Sequence, residues 1–312
     1  MTTDVRVNET RSHEGKFELF YAVLPPLFWA GNFLLARLLR NEIPPLQMSF
    51  WRWLIALAIL APFAWPGVRG HMPSIRKELP FLALLGLVGT TAFNCFVYVA
   101  LHYTTVVNAA LINSFMPVMT FIFAYFLLGQ KLRGIQLFGI VVSIAGAVVV
   151  ILRGNITDLS VFSLNLGDFL VLCGLSCWAL YTVLIRLRPS SLPLSSFLFV
   201  TTAFGTVFHL PLVLIEYPMI GGFQPDAGAV ISLFYLAVFP SLLAYIFWNR
   251  AVVHYGPGRA AMFMHLMPVF SAILAMIFLG EQLRPYHGVG LVCIVAGITL
   301  VTRSAKVRRN DR

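Results

Sequence analysis

Ten side chains have types and spacings that could bind a solute: Trp29, Asn32, Asn94, Tyr98, Asn113, Trp178, Tyr181, Tyr245, Trp248 and His265. All lie inside long apolar stretches. A polar group there is costly unless it meets a partner helix or a wet cavity. Asn32 stands beside Trp29, and Asn94 and Tyr98 lie one helical turn apart, on one face. Trp178, Tyr181 and Thr182 fall within about one turn. Asn113 and Ser114 lie just before Pro117, and His265 lies just before Pro268. Amides and hydroxyls can receive an ammonium and a carboxylate while the rings pack an apolar body. Such a lining suits a neutral or zwitterionic solute of modest size. The same residue types also serve as plain interhelical hydrogen-bond partners.

Other chemistries find little support. A lone His265 with no HExxH or GxSxG pattern supplies no nucleophile–base set, so no enzyme is expected. Cys95, Cys173, Cys177 and Cys293 have neither disulfide nor metal-ligand spacing and read as small buried hydrophobes. No cofactor and no metal is expected. Glu18, Glu78, Asp168 and Glu216 lie at the ends of apolar stretches, with no acid in the middle. A proton-coupled carrier usually has a carboxylate in its path, so facilitated diffusion or exchange is favoured. His265 keeps proton coupling open. A phosphate-bearing substrate calls for a central Lys or Arg, and a lipophilic cation calls for a buried acid; neither is placed. Arg52, between Trp51 and Trp53, is open between a snorkelling side chain and a functional one.

The elements that hold these residues are membrane spans. Of the 312 residues 59% are apolar and 11% charged, where a soluble domain carries about 25% charge. Stretches of roughly 20 apolar residues fall near 17–36, 45–65, 79–101, 104–128, 133–152, 166–186, 192–215, 227–248, 258–279 and 285–302. The chain is expected to be an all-α polytopic membrane protein of ten transmembrane helices, embedded in the lipid bilayer of the plasma (inner) membrane. Lys and Arg set its orientation. With the N terminus inside, 17 of the 22 fall on the inner side and 4 outside, with Arg52 inside a span. Both the N and C termini are therefore expected to be cytoplasmic. The net charge of +10 reads as a topology signal, with no nucleic acid partner.

Residues 109–146 recur at 260–297, with 15 of 38 pairs identical, Pro117/Pro268, Gly129/Gly280, Arg133/Arg284, Gly139/Gly290 and Gly146/Gly297 among them. Two units follow, 17–152 and 166–303. Five spans is an odd number, so the second unit crosses in the opposite sense: two inverted five-helix repeats, the plan of many secondary transporters. Most mid-span polar groups fall on helices 1, 3, 4, 6, 8 and 9, three symmetry pairs around an expected central cavity. Pro117, Pro268 and Pro240 (aligned with Gly89) interrupt these helices and are candidate hinges. The glycines of helices 5 and 10 are assigned to close packing. A homodimer through that face, or a monomer, are both open.

FWAGNFLLAR at 28–37 with CWALYTVLIR at 177–186, and the repeated Ala-Ala…Met-Pro-Val…Leu-Gly-(Gln/Glu) segment, resemble the drug/metabolite transporter superfamily, EamA type. The first repeat has Gly129-Gln130 where the second keeps Gly280-Glu281. Within the superfamily the length, the ten spans and the aromatic interior are most similar to bacterial aromatic amino acid exporters. The resemblance implies a small-molecule substrate, an amino acid or related metabolite, exported by alternating access.

Overall fold

Ten helices long and apolar enough to cross a membrane run through the described residues. We number them α1 (Glu18–Leu35), α2 (Pro45–Gly70), α3 (Leu79–Ala100), α4 (Ala109–Leu128), α5 (Gly134–Ile151), α6 (Leu166–Leu187), α7 (Leu194–Ile220), α8 (Ala227–Tyr255), α9 (Pro257–Phe278) and α10 (Pro285–Arg303). The structure is a computed structural model and describes residues 3–39, 42–100, 103–104, 106–155, 165–189, 191–280, 282 and 284–303. Arg40, Glu281 and the basic tail beyond Arg303 lie outside the described residues. The described residues contain no strand.

Most helices follow the apolar stretches closely. Helices α7 and α8 run beyond theirs, through Glu216 and through Asn249, Arg250 and His254. A charge does not end a helix, because the backbone ladder continues beneath it. Both stop at glycines in the left-handed region, Gly221 (φ 88°) and Gly256 (φ 81°), a conformation that L side chains rarely tolerate.

The two repeats interlock. Each main contact crosses from one copy to the other: α5 on α10, α2 on α7, α1 on α8 and α9, and α6 on α3 and α4. The pairs α1–α8 and α6–α3 are equivalent under the repeat, as are α1–α9 and α6–α4. This is the signature of two inverted five-helix units about a central axis. Helices α4 and α9 end on equivalent left-handed caps, Gly129 (φ 64°) and Gly280 (φ 69°).

The glycine faces of α5 and α10 meet one another. A Cβ added at Gly139 would stand 2.9 Å from the Gly297 carbonyl oxygen, and one at Gly146 2.7 Å from that of Gly290. Small residues let the two backbones touch, the usual device where lipid supplies no hydrophobic drive. The glycine face is thus used to pack α5 on α10 within the chain.

Breaks in the helices recur at equivalent places. Helix α3 contains a π-helical segment at Leu87–Ala92 and α8 one at Ala237–Leu243. Such segments widen a helix and free carbonyl oxygens, and they gather at functional sites. Helix α4 is interrupted by a turn at 114–115, and α9 by a 3-10 turn at Phe263–His265. Pro117 enters the helical stretch after the first break, and Pro268 sits just inside the stretch after the second.

Candidate functional site

At the centre the two repeats press their aromatic rings together. Trp29 of α1 meets Trp178 of α6 at 5.1 Å and Trp248 of α8 at 5.5 Å between ring centroids. Trp178 lies 5.3 Å from Tyr181 and 5.3 Å from Tyr245. Trp53 of α2 lies 4.8 Å from Tyr245, and Phe93 of α3 lies 5.2 Å from Trp178. The offsets and edge-to-face angles are those that ring quadrupoles prefer. Of the six aromatic residues expected to share a site, five, Trp29, Trp178, Tyr181, Tyr245 and Trp248, stand ring against ring.

The π-helical segments hold this cluster. The Trp29 indole donates to the Pro240 carbonyl at 3.0 Å, and the Tyr245 hydroxyl donates to the Gly89 carbonyl at 2.5 Å. Each repeat thus supplies a ring whose donor engages the broken helix of the other. Trp248 donates to the Thr182 hydroxyl at 3.1 Å, and the Asn249 amide to the Tyr181 hydroxyl at 3.1 Å.

Asn32 and Asn94 gather on Arg52. The guanidinium donates to Asn32 Oδ1 at 3.2 Å and to Asn94 Oδ1 at 2.5 Å, and Asn94 Nδ2 donates to the Thr90 carbonyl. Arg52 is 3% exposed and lies 5.3 Å above the Trp53 ring. The sequence reading placed no central charge and left Arg52 open between a snorkelling side chain and a functional one; the structure puts this charge inside the protein. A snorkelling side chain would reach the interface. Arg52 instead turns inward, because Trp51 faces outward at 40% exposure while Trp53 is buried. The Trp-Arg-Trp run carried that signal: two bulky residues flanking a cation cannot all face lipid. Trp53 and Phe93 were missed as well.

Of the other expected residues, His265 and Asn113 lie elsewhere, and Tyr98 borders the cluster on the Tyr245 side. His265 is buried between α5 and α4, paired with the Ser143 hydroxyl at 2.5 Å and with the Ser114 carbonyl at 2.7 Å. It ties the break in α9 to the break in α4 and stands apart from the rings. Asn113 is half-buried beside the α4 break. Tyr98 joins a buried apolar cluster with Leu39, Ile43, Met48, Leu233 and Leu236. That cluster lies where α1 and α3 end and α2 and α8 begin.

The opposite side of the rings is open. A cavity of about 380 Å³ is lined by Glu18, Tyr21, Arg188, Leu194, Asn249, Arg250, Val253 and His254, a size suited to a small metabolite. All of these lie on the side where α1 begins. Glu18 and His254 approach to 2.8 Å, and Arg250 donates to the Tyr21 hydroxyl at 3.0 Å. Burial lowers the Arg188 guanidinium from its ordinary value, and it lies 5.6 Å over the Phe197 ring. Asn249 joins this vestibule to the ring cluster through Tyr181. The described residues hold no group of three or more His, Cys, Asp or Glu side chains placed to bind a metal ion.

An interlocked inverted repeat with an open cavity on one face, an aromatic centre and a buried apolar cluster on the other is a plan shared with many membrane transporters. Residues 16–152 and 165–303 each match the EamA-like transporter family, and the chain belongs to that family. An uncharacterized transporter of Archaeoglobus fulgidus is 30% identical over 89% of this chain and 95% of its own. A probable terminal-alkyne amino-acid exporter of Streptantibioticus cattleyicolor is 28% identical over 93% and 94%. A probable amino-acid metabolite efflux pump of Salmonella typhimurium is 26% identical over 94% and 97%. A crystal structure with 19% sequence identity superposes with a TM-score of 0.73 over 95% of this chain and 99% of that one, which shows the shared fold. The protein is a multi-pass transporter of the cell (inner) membrane.

Proposed function

We propose that this transporter exports amino acids with large apolar or aromatic side chains by alternating access between its two repeats. The observation that carries the reading is the closed ring cluster between the open vestibule and the apolar seal. A solute enters beside Asn249, displaces ring-on-ring contacts with its own side chain, and leaves when the seal around Tyr98 opens. Rings held by a few hydrogen bonds can exchange partners at modest cost, since each aromatic pair contributes about 0.5–1.5 kcal/mol. Both termini and the vestibule are cytoplasmic in this reading, in line with the distribution of Lys and Arg. The names of two relatives, an amino-acid exporter and an amino-acid metabolite efflux pump, agree with the substrate class.

Among the described residues no acid pairs with a group of the ring cluster: Glu18 faces His254, Asp168 caps α6, and Glu216 binds the backbone at the start of α2. This arrangement favours facilitated diffusion or exchange down the substrate gradient over proton coupling. The experiment is counterflow in proteoliposomes of the purified chain with a panel of amino acids, sugar phosphates and cationic drugs. Saturable counterflow of phenylalanine, tryptophan or leucine is expected. Preferential transport of a phosphorylated compound, or chemical change of the solute, overturns the reading.

A further inference from the structure

We propose that Arg52 receives the carboxylate of the transported solute, so that the protein selects carboxylates over the matching amides and amines. The proposal deepens the amino-acid reading above and rests on the same central site. Arg52 is buried at 3% exposure, and its two hydrogen bonds go to neutral amide oxygens, those of Asn32 and Asn94. Among the described residues no carboxylate pairs with it. Three acids that could lie near the membrane interior are already engaged. Glu216 accepts from the Leu46 and Gln47 amides, Asp168 accepts from Thr104, and Glu18 faces His254. A buried cation in a membrane normally finds an anion or faces the substrate path.

A second observation points to a ligand. Six buried polar atoms have no partner among the described residues: Arg52 Nε, Trp53 Nε1, Tyr98 Oη and Trp178 Nε1, and, towards the vestibule, Arg188 Nη1 and Asn249 Oδ1. Buried polar groups in native proteins are almost always satisfied. Five of the six can donate, and only the Asn249 oxygen is purely an acceptor. A surplus of donors calls for an acceptor-rich group. Nε is one of the donors of the guanidinium fork that takes a carboxylate in a two-point pair. The neighbouring Trp53 and Tyr245 rings would flank the apolar part of the same molecule. Arg52 is the cation seated among the central rings, while Arg188 lies on the vestibule side, over Phe197.

Asn32 and Asn94 hold the fork in place from α1 and α3. A purely structural arginine would tie these helices together and show no preference among solutes. The test therefore compares four compounds of one shape: phenylalanine, 3-phenylpropionate, phenylalaninamide and 2-phenylethylamine. They compete for phenylalanine counterflow in proteoliposomes of the full chain. The two acids are expected to compete at least about tenfold better than the amide and the amine, the loss typical of leaving one charge of a buried pair alone. In Arg52→Gln that preference should disappear, and Arg52→Lys should keep part of it through its charge. Equal competition by all four compounds in the wild type overturns the proposal, whether or not the variants fold. So does a folded Arg52→Gln that keeps the acid preference. If phenylalanine is not carried, the same compounds are tested by quenching of tryptophan fluorescence. An Arg52-dependent preference for the acids then upholds the carboxylate site while the amino-acid reading fails, and quenching without preference, or none at all, overturns both.

Discussion

Tyr245 donates its hydroxyl to the carbonyl of Gly89, 156 positions away, at 2.5 Å. The acceptor belongs to the π-helical segment of α3, and the donor lies just after the equivalent segment of α8. The bond joins the two places where the repeats are least regular. Its counterpart runs from Trp29 to Pro240. If the halves rock about the centre, these two bonds must break or re-form.

Tyr245→Phe should therefore loosen the centre. Leaving a buried carbonyl unsatisfied costs about 1–3 kcal/mol. A melting temperature lower by a few degrees is expected, with faster reaction of a cysteine probe at the seal. An unchanged melting curve together with unchanged probe reactivity would count against a holding role.

The prolines should matter for rate more than for folding. Pro117→Ala and Pro268→Ala each allow the helix to continue across its break, since alanine restores a backbone N–H. Slower counterflow at near-normal folded yield is expected in both. Normal transport by both variants would make the breaks static.

Glu216 should be a structural staple. It accepts from Leu46 N at 3.1 Å and Gln47 N at 3.0 Å, at the start of α2. A carboxylate there meets the positive end of the helix dipole. Glu216→Gln should lower stability by roughly 1.5–3 kcal/mol, the net worth of hydrogen bonds to a charged group, with KM unchanged. A raised KM at normal stability would move Glu216 into the transport path.

The α5–α10 contact should tolerate no bulk. At Gly290 a Cβ would meet the Gly146 carbonyl at 2.8 Å and the Val150 side chain closer still. Gly290→Val should sharply cut the yield of monodisperse protein. A well-folded variant of normal melting temperature would refute the packing role.

Topology has its own test. In a background without the four native cysteines, Asn155→Cys should label from outside and Arg309→Cys only from the cytoplasm. Labelling of Asn155→Cys solely from the cytoplasm would reverse the orientation.

The sequence by itself determined the ten spans, the inverted repeat and most of the aromatic centre. The reason is physical: apolar length, odd span number and internal identity are properties of the chain alone. It also marked the glycine faces of α5 and α10 and the interrupted helices. Only the tertiary structure decided which polar residues meet. Asn94 and His265 look alike on paper, each a lone polar group in an apolar helix. Packing sends Asn94 to Arg52 and His265 to Ser143. Arg52 is the clearest case, because periodicity gives a helix its faces but not its neighbours. Whether that cation reaches the lipid interface or the protein centre depends on the rotation of α2 against α1 and α3. The two π-helical segments are of the same kind. Gly89 and Pro240 hinted at irregularity, but the extra residue in each turn is held by donors that arrive from the other half of the chain.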